Sequence, residues 1–189
     1  MIEFKNKIKE FLPYDRKQYI SRKEWFGISF QLSGVFEGKD IGLEMYLEIY
    51  EDWFKSVISK FANNSQWIVN QDFIDEDWFP NKQNNLKTLR SLFKQNNIPN
   101  EFNGGIIFST DDLLKFSKDL ISYPYAVFNK TGLLYNNLDI SHNKLPFVIK
   151  ISGHLNIDLL STDIELLRKV VNENSPNSFI LKEYRGTSL

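Results

Sequence analysis

The residues best able to do chemistry in this chain are carboxylates interleaved with large aromatics. Asp72-Phe73-Ile74-Asp75-Glu76-Asp77-Trp78-Phe79-Pro80 is the only dense acidic run, and it carries Trp78 and two Phe within nine positions. Exposed on a loop, Trp and Phe would supply desolvated anchors while the carboxylates steer a basic partner toward them. The plainer reading is that Phe73, Trp78 and Phe79 pin the loop to the core and leave Asp72, Asp75, Glu76 and Asp77 solvated. A second acidic and aromatic stripe, Glu44, Tyr46, Glu48 and Tyr50, would lie on the solvent face of a strand if the alternation over 41–50 is read with a period of two.

Catalytic signatures are scarce. The two histidines, His142 and His154, could form an acid–base pair with Asp139 or Asp158, as a metal-independent nuclease or small hydrolase would need. Asp139-Ile140-Ser141-His142 and Ser152-Gly153-His154 are equally ordinary turn sequences, which makes a polar turn role the simpler assignment. Cysteine is absent, so disulfides, thiolate metal sites and cysteine nucleophiles are excluded together. The acidic run lacks the spacing and glycine of a calcium loop, and no HExxH pairing exists. Gly104-Gly105 is followed by neither phosphate-loop pattern, and no GxSxG elbow occurs. Nothing in the sequence implies a metal or a cofactor, and binding a protein is favoured over catalysis.

Composition supports a packed scaffold for such a surface. The chain has 189 residues, 42% hydrophobic and 15% aromatic, enough for a single domain spanning 1–189 with its own core. A net charge of -1 argues against a surface built to neutralise phosphates, so direct nucleic-acid binding is not expected. The N-terminus intersperses charges among its apolar residues, and no run approaches the length of a membrane span. A cytoplasmic protein is expected.

The elements that must position these residues follow from periodicity. Phe4, Ile8 and Phe11 suggest a short helix over 3–11 ahead of Pro13. Phe26, Ile28, Phe30 and Leu32 alternate with polar or small residues as a half-buried strand, and a turn at Glu37-Gly38-Lys39-Asp40 leads into the alternation of 41–50. That second run also fits a helical stripe through Leu43, Tyr46, Leu47, Tyr50 and Phe54; a strand to residue 50 followed by a helix over 51–62 is the preferred division. Residues 63–85 read as an ordered loop, 84–96 as a helix, and Ile106-Ile107-Phe108 as a strand leading to a helix that stops before Pro124. Tyr125–Phe128 reads as a strand, a turn follows at 129–132, and 133–135 returns. Phe147–Ile151 and Leu155–Leu159 form a hairpin, Thr162 and Glu165 have capping-box spacing for a helix over 163–173, and Phe179–Leu181 adds a final strand. Short connections between successive strands dictate a largely antiparallel sheet with helices packed against it, an α+β architecture.

Tyr123-Pro124-Tyr125, Asp139-Ile140-Ser141-His142, Leu145 to Gly153 and Asn156 to Asp163 together resemble small bacterial immunity proteins of contact-dependent growth inhibition and related polymorphic toxin systems. The resemblance covers the last third of the chain and is one of texture, so it carries no residue role with it. It implies a stoichiometric cytoplasmic inhibitor that occludes a cognate toxin domain, often a basic nuclease, by presenting carboxylates where nucleic-acid phosphates would lie. The partner-binding residues expected on that reading are Asp72, Asp75, Glu76, Asp77 and Trp78, then Glu44 and Glu48.

Overall fold

The alternation of apolar and polar residues resolves into one broad sheet. The computed structural model describes residues 2–15, 24–36, 38–61, 64–72, 76–80, 85–128, 132–133, 136–175, 178–184 and 187. Within them run strands β1 (Glu3–Lys5), β2 (Phe26–Leu32), β3 (Val35–Phe36), β4 (Lys39–Asp40), β5 (Gln66–Gln71), β6 (Gly105–Ser109), β7 (Leu138–His142), β8 (Phe147–Ser152), β9 (Asn156–Ser161) and β10 (Phe179–Glu183). The helices are α1 (Leu43–Ile58), α2 (Lys87–Gln95), α3 (Thr110–Lys115), α4 (Ser117–Ala126) and α5 (Ile164–Asn174).

Eight strands form an antiparallel sheet in the order β1-β6-β5-β7-β8-β9-β2-β10, and β3 and β4 make a separate small hairpin. The meander β7-β8-β9 occupies the middle. Because side chains alternate across a strand, the sheet has two distinct faces. Trp67, Val69, Ile106, Phe108, Leu138, Ile140, Phe147, Ile149, Leu159 and Ile28 point to the helix side and merge with Tyr50, Trp53, Phe54, Leu89, Phe93, Leu120 and Val170 into the main core. The residues between them face the other way. There Ile8 packs with Ile68 and Ile107, while Trp25 packs with Val148 and Leu160.

Several local assignments change. Residues 3–5 are a strand instead of the start of a helix, because Phe4 enters the core between Phe93 and Phe102 while its neighbours Glu3 and Lys5 pair with each other on the opposite face. The run 41–50 is helical from Leu43, its stripe ending on buried Tyr50, whose hydroxyl donates to the Leu155 carbonyl at 2.8 Å. The expected loop contains β5, and the expected turn Asp139–His142 is β7. Pro124 lies inside α4, so 125–126 continue the helix where a strand was expected. A proline in the last turn forfeits one helical hydrogen bond, and the surrounding Leu120, Ile121 and Tyr123 are all buried in the core. The cap of α5 is Asp163, whose carboxylate accepts the amides of Glu165 and Leu166 at 3.0 Å, and not Thr162.

Candidate functional site: an acid-rimmed cleft beside the first long helix

The helix assignment of 43–58 regroups the acidic residues. Glu44 and Glu48, expected on one strand face with Tyr46 between them, are instead one turn apart on α1, and Asp52 continues the same row four residues later. Like charges at this spacing cost an isolated helix a few tenths of a kcal/mol per pair. Across the α1 sequence there are four carboxylates and a single lysine. Lys55 is committed to Glu51 at 2.7 Å, so among the described residues Glu44, Glu48 and Asp52 have no hydrogen-bond or ion-pair partner. Their cost is not repaid within the described structure. Sequence reading missed Asp52, since its row becomes visible only once the segment is helical.

Between the first half of α1 and the end of α4 lies a cleft of about 740 Å³. Leu47, Leu86, Tyr125 and Ala126 line its apolar interior, and Leu43 and Phe128, both substantially exposed, flank it. Among the described residues the lining holds four carboxylates, Glu44, Glu48, Glu51 and Asp119, and one cation, Lys118. The acids are not equivalent. Burial raises the proton affinity of Glu51, but Lys55 and the Ser117 hydroxyl, 2.7 Å away, outweigh it and hold this carboxyl below its ordinary range. Burial dominates at Asp119 and pushes its carboxyl up, even though Oδ2 accepts the Leu89 amide at 2.7 Å. Asp119 therefore caps α2 from a neighbouring helix, in place of the N-cap residue Leu86, whose own side chain cannot. Lys118 is exposed as well, and its charge favours the ionised forms of Glu51 and Asp119, which leaves Glu44 and Glu48 as the acids of this lining that face solvent without a partner among the described residues. An apolar interior under two unneutralised carboxylates suits a cationic segment with an apolar side chain.

The 72–80 run is not one surface. Asp72 turns toward the face opposite the helices, where Lys150 Nζ lies 3.2 Å from its Oδ2 and 3.4 Å from Asp139 Oδ1. Burial lowers the proton affinity of Lys150, but Asp139 and Asp72 together reverse this and hold the ammonium above its ordinary range. The Asn137 side chain also donates to Asp72 at 2.8 Å. These groups tie β7, β8 and the end of β5 together. Glu76 is exposed, Asp77 is half-buried with its carbonyl accepting from Gln71, and Asp75 lies outside the described residues. Trp78 is completely buried, its indole N–H donating to the Gly104 carbonyl at 2.8 Å, so of the two readings of that aromatic the packing one holds.

The histidines stand apart from the carboxylates. His142 is buried under Trp67 and Phe61. Its Nδ1 accepts the amides of Lys144 and Leu145 at 3.0 Å each, and Nε2 lies 3.0 Å from the Ser65 hydroxyl. His154 is exposed in the β8–β9 turn. Asp158 accepts from Asn156 at 2.6 Å and from the Tyr184 hydroxyl. Among the described residues no group of three or more His, Cys, Asp or Glu is arranged to hold a metal ion, and no helix is long and apolar enough to cross a membrane. Compared with protein-family models, curated proteins and solved structures, the chain matches none.

Proposed function

We propose that the chain is a cytoplasmic immunity-type protein, which binds and neutralises a cognate bacterial toxin domain by occluding it and itself catalyses nothing. The observation that carries this reading is the cleft between α1 and α4, where Glu44 and Glu48 stand without partners among the described residues beside an apolar interior. A nuclease toxin presents basic residues that grip phosphates, and carboxylates on an inhibitor substitute for those phosphates. Rim charges of this kind act mainly on association rate, while the buried apolar contact sets residence time. A chain that is nearly neutral overall can do this, because Glu44, Glu48 and Asp52 set three unpartnered carboxylates in one row along a single helix. The commitment of His142 to backbone amides supports binding over imidazole-based hydrolysis.

The test is purification with the polypeptide encoded by the adjacent reading frame, followed by kinetics of the pair E44K/E48K. A stable complex is expected, with association slowed at least tenfold by the double reversal at low salt and much less at high salt. Failure of the adjacent product to bind, or to lose its toxicity on co-expression, would overturn the immunity reading. A complex indifferent to E44K/E48K would leave that reading standing and remove the cleft from the interface.

A further inference from the structure

We infer that two copies of this chain pair through the outer edge of β10, extending the sheet across a twofold axis at Ile180. This inference is independent of the cleft, which uses α1 and α4.

The two edges of the sheet are built differently. At β1, Glu3 and Lys5 pair at 2.7 Å on the outward face and Phe4 is held in the core, the short charged construction that keeps an edge from recruiting another strand. At β10 the protection is much weaker. Ile180 and Leu181 are 48% and 38% exposed, every residue from 180 to 183 is exposed, and among the described residues no strand pairs with the side away from β2. One lysine, Lys182, is the only cation in the strand.

Hydrogen-bond parity limits how a second copy can bind. The Tyr184 amide donates to the Gly27 carbonyl at 2.8 Å, so Tyr184, Lys182 and Ile180 turn their main-chain groups toward β2. The N–H and C=O groups of Phe179, Leu181 and Glu183 consequently point outward. An antiparallel self-pairing must then place its axis at a residue, not between two. An axis at Lys182 sets two ammonium groups directly opposite each other. An axis at Leu181 sets Lys182 opposite Ile180 and Glu183 opposite Phe179. With the axis at Ile180, Ile180 faces Ile180 of the other copy, Leu181 faces Phe179 and Lys182 faces Ser178. Apolar residues then oppose apolar ones, no like charges are opposed, and the two Phe179–Leu181 pairs exchange main-chain hydrogen bonds. Phe179 already packs on Phe30, Tyr50 and Trp53, so the added Leu181 continues the helix-side core across the junction. The strand is short, which places the dimer in the weak, reversible class.

The absence of native cysteine makes the register directly testable. In the proposed pairing, residue 180 sits opposite itself at a non-hydrogen-bonded position, with Cα atoms about 4.5 Å apart, within disulfide reach. Residue 181 is diagonal to its counterpart at about 8 Å, beyond it. Under copper–phenanthroline oxidation, Ile180→Cys is expected to give a disulfide-linked dimer on a non-reducing gel and Leu181→Cys to give little. Sedimentation equilibrium of the unmodified chain should show a monomer–dimer equilibrium at concentrations rising to millimolar, abolished by Ile180→Lys with unchanged circular dichroism. A monomer at every concentration, or cross-linking at 181 as efficient as at 180, would overturn the proposal.

Discussion

His142 shows at single-residue scale how a side chain suited to acid–base chemistry can serve the fold instead. Two backbone amides donate to Nδ1, so the proton of the neutral ring sits on Nε2, directed at Ser65. Burial, reinforced by the nearby Lys144 charge, pushes its pKa down to about 4. In the unfolded chain an imidazole titrates near 6.5. Between these values the unfolded state binds the extra proton, so stability is full above about pH 6.5 and declines as pH falls toward 4. The expected loss between pH 7 and 5 is about 2 kcal/mol, read from urea unfolding at the two pH values. His142→Asn, whose Oδ1 can accept the same amides, should flatten that window; an unchanged slope would assign the pH dependence elsewhere. The sequence favoured a turn role for His142 over an acid–base one; the residue ends β7, and the turn it braces begins one residue later. It could not distinguish a buried Trp78 from an exposed one, because that depends on the Gly104 carbonyl 26 positions away.

The elements that were hard to read are those whose two faces are both buried or whose periods overlap. Strand β5 reads Gln-Trp-Ile-Val-Asn-Gln, and apart from Gln66 every position is buried, so the polar–apolar alternation of a half-exposed strand is missing. Strand β7 does alternate, but its outward residues Asp139 and Ser141 are turn formers that happen to be paired with Lys150 and Tyr14. In α1, Leu43 and Leu47 satisfy both a period of two and a helical stripe, and the decision rests on Tyr50 and Trp53, whose polar atoms reach the Leu155 and Asn174 carbonyls. By contrast β2, β8, β9, α2 and α5 fall close to their expected bounds, because hairpin turns and an amphipathic stripe are local signals. The cap on α2 is non-local again. Asp119→Ala removes the acceptor for the Leu89 amide and should cost about 1 kcal/mol, visible as a lower urea midpoint. Since burial raises the Asp119 carboxyl's pKa, its charge is held at a cost at neutral pH. Asp119→Asn keeps an acceptor without that charge and should be at least as stable as the parent; equal losses in both variants would show that the cap contributes nothing.

Across the whole molecule, strand order is the feature that no local pattern contains. The fold class follows from the short hairpins, but β1 and β2, neighbours in sequence, lie six strand positions apart, about 29 Å at roughly 4.8 Å per strand. The chain between them must cross the sheet, and its described parts do so on the face opposite the helices. Ile8 and Leu12 cover Ile68 and Ile107, Tyr14 bonds Ser141 at 2.6 Å and meets Trp25 edge-on, and Trp25 covers Val148 and Leu160. Gly104 and Gly105, which resemble no phosphate loop, make room for β1 and for the start of this crossing respectively. A Cβ on Gly104 would collide with the Lys5 carbonyl, and one on Gly105 with Ile8 Cγ2. The first collision is with backbone and cannot be relieved by a side-chain change. The second can, so Gly105→Ala should be strongly destabilising alone, while Ile8→Ala should cost about 2 to 5 kcal/mol as a large-to-small core change. Together they should lose less than the sum, with a coupling of about 0.5 to 3 kcal/mol measured by urea unfolding of both single variants and the double. Strict additivity would mean that Ile8 does not rest on Gly105, and that the crossing segment is not what requires a glycine there.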